Sequence, residues 1–174
     1  MAQEEKILVL DRGSLEFIYP GDWSVHPEPT GCLTLCNPTQ DCRLDVLFGR
    51  LSRAQSGEPS LVPVDEVLRH FLEEVPETKQ EMVLNTEVEN NCSLAHAHYT
   101  YGSRDTEGRQ KQPSHARWLV ARNHLFQTVL SFRHRSEDTP AAVPVWQRIT
   151  ETLHLGDGIP LSSPEDHWSL RKPN

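Results

Sequence analysis

The sequence predicts an α+β domain, an antiparallel β-sheet of about seven to nine strands covered by helices on both faces as a three-layer α/β/α sandwich. Residues 115–133, HARWLVARNHLFQTVLSFR, carry the first argument, reading as two long strands folded back at Arg122, Asn123 and His124. With a two-residue turn, Arg117, Leu119 and Ala121 share a face with Phe126, Thr128, Leu130 and Phe132, and Trp118 and Val120 share the other with Leu125, Gln127 and Val129. Both faces are substantially apolar, whereas a hairpin over a single core alternates apolar with polar, so this pair belongs in the middle of a sheet covered on both sides. The second argument is a pair of amphipathic helices, 64–75 and 143–155, available to cover those two sides.

In chain order, Ile7 to Leu10 and Leu15 to Tyr19 form an opening hairpin broken at Arg12-Gly13-Ser14, with Leu15, Phe17 and Tyr19 on one face. Pro20-Gly21-Asp22 is a turn, and Trp23 to His26 resumes extension until Pro27 and Pro29 end it. Cys32 to Cys36 and Cys42 to Phe48 flank the polar loop Asn37 to Asp41, a hairpin that sets Cys36 opposite Cys42. That register places Thr34, Cys36, Cys42, Leu44 and Val46 on one side and Leu33, Leu35, Arg43 and Asp45 on the other.

After a loop rich in Gly, Ser and Pro, Val64, Val67, Leu68, Phe71, Leu72 and Val75 recur at helical spacing, with Pro63 at the start, Asp65 and Glu66 favouring the N-terminal dipole, and Pro76 ending the run. Val83 to Val88 and Leu94 to Tyr101 are strands, the second setting Ala95, Ala97, Tyr99 and Tyr101 against His96, His98 and Thr100. Residues 102–114 are charged, without apolar side chains, and project into solvent between two strands. The closing helix starts at about Val143 with Pro144 in its first turn, turns Trp146, Ile149 and Leu153 inward, and ends near Gly156. Residues 1–156 therefore form one domain and 157–174, rich in Pro, Ser and charge, a tail.

Composition narrows the function. A net charge of −8 argues against nucleic acid or an anionic membrane surface as partner, since both attract clustered Lys and Arg. The N-terminus, MAQEEKILVL, lacks the basic start and long apolar core of a signal peptide, and no apolar run approaches the roughly 20 residues that cross a bilayer, so a cytoplasmic location without membrane insertion is expected. Cys32 and Cys36 on one strand lie about 13 Å apart and cannot share an ion, and the cysteines read as small buried hydrophobes.

Phosphate-cradling Gly-rich loops, the His-Glu-x-x-His helix, the Gly-x-Ser-x-Gly elbow and the Cys-x-x-Cys pair are all missing, so no catalytic residue is assigned and a binding role is favoured over an enzymatic one. His96 and His98 share one strand face in the His-x-His spacing that strand-borne zinc sites use, with Cys92 at the same parity. A polar strand face with satisfied imidazoles explains them more simply, so no metal and no cofactor is expected. The candidate binding residues are His96 and His98, then Arg104, Arg109 and Lys111 in the charged loop, and Trp168, which with Leu170 is a possible docking motif in the tail. The alternative is a small-molecule or metal-dependent enzyme using the His96 and His98 face.

The segment Ser14-Leu15-Glu16-Phe17-Ile18-Tyr19-Pro20-Gly21-Asp22-Trp23-Ser24-Val25, a helix after several strands, a long antiparallel run and the closing 146–155 helix together resemble the PsbP-like superfamily over residues 5–156. That superfamily includes the photosystem II extrinsic protein, a Ran nucleotide-release factor and bacterial proteins, some acting as chaperones for secreted effectors. The resemblance implies an antiparallel sheet between helices and a non-enzymatic role as adaptor or chaperone for an unidentified protein partner. It carries no functional residue onto this chain.

Overall fold

The computed structural model describes residues 4–51, 62–73, 79–89, 92–102 and 113–156. The chain opens with β1 (Glu5–Leu10) and β2 (Leu15–Pro20), then β3 (Ser24–Pro27), β4 (Leu33–Cys36) and β5 (Arg43–Arg50). Helix α1 (Val64–Glu73) precedes β6 (Lys79–Glu89), β7 (Cys92–Tyr101), β8 (Ser114–Arg122) and β9 (Phe126–Arg135), and α2 (Thr139–Thr152) leads into β10 (His154–Leu155). The α+β class with antiparallel pairing holds, but the strands divide between a seven-stranded sheet, β3-β4-β5-β9-β8-β7-β6, and a three-stranded one, β1-β2-β10. Among the described residues no helix is long and apolar enough to cross a membrane.

The β8–β9 hairpin is central in the large sheet, and its faces are those the sequence dictates. Leu119 opposes Leu130 and Arg117 opposes Phe132, while Val120 opposes Val129. The even-numbered β8 side meets α1, whose Leu68 and Leu72 pack with Ala95, Ala97, Tyr99, Ala116 and Val120. Three alanines beneath a helix let its backbone approach closely. The odd-numbered side joins a larger cluster with Leu15 and Phe17 of β2, Leu44 and Val46 of β5, and Trp146 and Ile149 of α2. At its centre Phe132, fully buried, lies parallel to Trp146 at 5.7 Å and stacks on Trp23 at 6.1 Å. Truncating a ring so enclosed costs about 3–5 kcal/mol.

Four local expectations are corrected. Cys36 pairs with Arg43, not Cys42, because Asn37 takes the position opposite Cys42: its N–H donates to the Cys42 carbonyl and its Oδ1 accepts the Cys42 N–H at 3.0 Å. That slip of one residue exchanges the faces. Leu35 now lies with Cys42, Leu44 and Val46 in the core, while Thr34 faces Asp45 and donates to its Oδ1 at 2.7 Å. Cys42 does pack as a small hydrophobe, and burial pushes its thiol up to about 11.

Helix α2 starts at Thr139, so Pro140 occupies its first turn and Pro144 its interior. Both prolines are exposed, and Pro144 has no N–H with which to pair the Pro140 carbonyl. The chain after Thr152 is not a helix end reaching Gly156. Leu153 is extended, and His154 and Leu155 pair with Glu16 and Leu15 of β2. Gly156 then approaches the β1–β2 turn so closely that a Cβ would stand 2.6 Å from the Gly13 carbonyl oxygen.

Finally, the hairpin turns at His124–Leu125, closed by Asn123 and Phe126. The Asn123 carboxamide, 8% exposed, accepts the N–H groups of Leu125 and Phe126 and donates to the carbonyls of Leu155 and Gly156. It thereby ties the central turn to β10. Asn123→Ala leaves four backbone groups wanting partners, and about 3 kcal/mol of stability should be lost. Urea unfolding should show a lower midpoint at unchanged slope, with Asn123→Asp, which keeps the acceptor and loses the donor, falling between.

Candidate functional site

The small sheet and α2 cover the β5 and β9 side of their face of the large sheet. Toward β6 that cover ends, and β7 presents the partly exposed Leu94 and His96 to a groove of about 690 Å3, beneath which Leu119 of β8 is buried. Its floor is Leu94, Leu119 and Ala121, its far wall is Leu153, His154 and Leu155 at the end of α2 and in β10, and carboxylates Glu87 and Glu151 lie on its lining. A second concavity, lined by Asp65, Thr86, Glu87 and His124, adjoins it over the β6–β7 end.

His96 lies in this groove, its Nε2 at 2.8 Å from Glu87 Oε1 across the β6–β7 pair. Cys92 lines the same groove, but four residues along an extended strand separate it from His96 by about 13 Å, too far for a thiol–imidazole pair.

His98, two residues on, turns to another neighbourhood. Its ring stacks on His115 at 5.6 Å, and His115 stacks on His134 at 5.1 Å, so three imidazoles cross β7, β8 and β9 in a row. The hydrogen bonds set the protons. Ser136 Oγ donates to the Pro113 carbonyl, so it accepts from His115 Nε2, and His115 Nδ1 accepts from the Thr100 hydroxyl. His134, 2% exposed, donates from Nδ1 to the Arg135 carbonyl at 2.9 Å. Its Nε2, the Nε2 of His98 and the Nε of Arg117 are buried without a hydrogen-bond partner among the described residues. Burial holds all three imidazoles below the usual histidine range, and the Arg117 guanidinium pushes each further down. Against this, the Arg135 carbonyl and the Asp138 carboxylate pull His134 upward.

Of the residues singled out in the sequence, His96 and His98 therefore share a face and part in role, one held by Glu87 and one stacked in the row. Among the described residues no group of three or more His, Cys, Asp or Glu is placed to hold a metal ion. Arg104, Arg109, Lys111 and Trp168 lie outside the described residues, as does the tail 157–174. Glu87, Leu119 and Glu151 of the groove, and His115 and His134 of the row, were missed. The His-x-His parity of β7 pointed to the face, but the partners come from strand register: His98 opposite Arg117, Thr100 opposite His115, His115 opposite His134.

The antiparallel sheet, with one helix packed on β7 and β8 and another on β2 and β9, is a fold shared with PsbP-like structures. Solved structures sharing it include CyanoP, the PsbP of the cyanobacterium Synechocystis, with 12% identity and TM-score 0.65 over 90% of this chain and 95% of that one. LpqN, involved in cell envelope biogenesis of Mycobacterium tuberculosis, has 13% identity and TM-score 0.56 over 86% of this chain and 89% of its own. The Ran-binding protein Mog1p of Saccharomyces cerevisiae has 11% identity and TM-score 0.54 over 88% of this chain and 96% of its own. At such identities the likeness shows the fold. Within it, the chain belongs to the Alr1449 family, whose sequence model matches residues 6–159. No curated protein sequence matches it.

The imidazole row makes stability depend on pH. Its folded-state basicity is depressed, so its contribution is complete above the ordinary histidine value near 6.5 and is lost as pH falls below it. The groups facing the row are Arg117, Asp138 and the histidines themselves. Thermal melts between about pH 7.5 and about pH 5 should show Tm falling by about 5 °C or more, and His134→Gln should flatten that dependence.

Proposed function

We propose that this protein is a non-enzymatic protein-binding module, an adaptor or chaperone-like domain, whose docking surface is the groove around Leu94, His96 and Leu119. The observation carrying this reading is the groove itself, an apolar floor with charged edges where the cover of the central sheet stops. A Ran-binding protein among the structures of this fold supports a protein partner. The net charge of −8 speaks against nucleic acid. The parity of the two core clusters supports the three-layer arrangement, α1 on one face of the large sheet and α2 with the small sheet on the other, within a single domain ending near Gly156. The enzymatic alternative draws less from the geometry, since His96 and His98 are committed to different neighbours and Cys92 is out of reach of His96.

The test is photo-crosslinking in the native host from exposed groove positions His124 and Glu151, with Arg69 on α1 as the control. Adducts to one protein from both groove positions and not from Arg69 are expected, and Leu94→Arg, with folding checked by circular dichroism, should weaken capture about tenfold. Adducts of equal yield from Arg69, or capture indifferent to Leu94→Arg, would sink the reading.

A further inference from the structure

We infer that the groove is also the seat of this chain's own segment 167–172, His-Trp-Ser-Leu-Arg-Lys, which docks there and competes with a partner. This rests on reading the groove as a docking surface. Three observations carry it.

The first is position. His154 and Leu155 form the groove's far wall, and Gly156, directly after them, is fixed by its N–H to the Ser14 carbonyl and by the Asn123 carboxamide, so the tail is anchored beside the groove. The second is reach. Eleven residues lie between Gly156 and Trp168, and the twelve steps span about 40 Å when extended and about 20 Å as a flexible average, enough to return to the floor.

The third is chemistry. Trp168 and Leu170 are apolar groups able to pack on the partly exposed Leu94 and Leu153 of the lining, and Arg171 and Lys172 immediately beyond them match the carboxylates of Glu87 and Glu151. His96, by holding one oxygen of Glu87, positions that carboxylate. Tethering supplies an effective concentration on the order of millimolar, so a motif of modest intrinsic affinity fills the site until a tighter-binding partner displaces it.

The experiment uses the full chain with p-benzoylphenylalanine at position 168, irradiated at low concentration and mapped by mass spectrometry. Intramolecular cross-links to peptides containing Leu94, Leu119 or Leu153 are expected, and adding Arg171→Glu with Lys172→Glu should lower their yield about fivefold. Cross-links confined to other surfaces, cross-links to a second copy, no cross-link, or a yield indifferent to charge reversal would each overturn it. The two readings separate cleanly. If position 168 misses the groove while His124 and Glu151 still capture a partner, self-docking fails and the binding role stands. If both arms hold, Trp168→Ala with Leu170→Ala should raise partner capture severalfold.

Discussion

The pairing of β8 with β9 is the constraint on which the rest of this structure depends. Leu119 against Leu130 puts one set of side chains on the Phe132 cluster and the other, through Val120 and Val129, under α1. A slip of one residue would send Phe132 and His134 toward α1 and Val129 toward Trp146, unmaking both cores at once. Asn123 guards against that slip, because its carboxamide closes the turn and binds β10 in the same four hydrogen bonds. The small sheet, the end of α2 and the central hairpin are thus tied together through one side chain.

The same constraint explains why the functional surface is where it is. The two-sided apolar hairpin is spent on packing, and this face of the sheet opens toward β6, where α2 and the small sheet no longer cover β7. There the side chains are mixed: leucines on the floor, Glu87 and His96 paired across strands, Glu151 opposite. At the other end the imidazole row places three titratable rings and Arg117 against Phe132 and the approach to α2. Burial is what gives that row its sensitivity, and the Asp138 carboxylate offsets it in part at His134.

Much of this was legible in the chain itself. Alternation in 115–133 and 94–101 assigned both faces of the central strands correctly, and the 3.6-residue spacing of Val64, Leu68 and Leu72 assigned α1. What failed had a common cause. The Cys36–Cys42 pairing counted loop residues without knowing that Asn37 would take a strand-like place, and the late start given to α2 took Pro144 as a helix beginner when Pro140 filled that position. In the candidate site, His96 and His98 were visible as a pattern, whereas Glu87 and Glu151 were ordinary surface acids until folding set them around one groove.

By itself, then, the sequence determined periodicity: which residues face together along each strand and helix, that the class is α+β, and that linear catalytic signatures are missing. These are properties of neighbours separated by a few residues, and side-chain geometry imposes them locally. Only the tertiary structure decided which strands lie side by side, that β1, β2 and β10 form a second sheet, and that His98, His115 and His134 make one row. Those facts join residues far apart in sequence, set by register and by the packing of Phe132 between two tryptophans, and no local pattern encodes them.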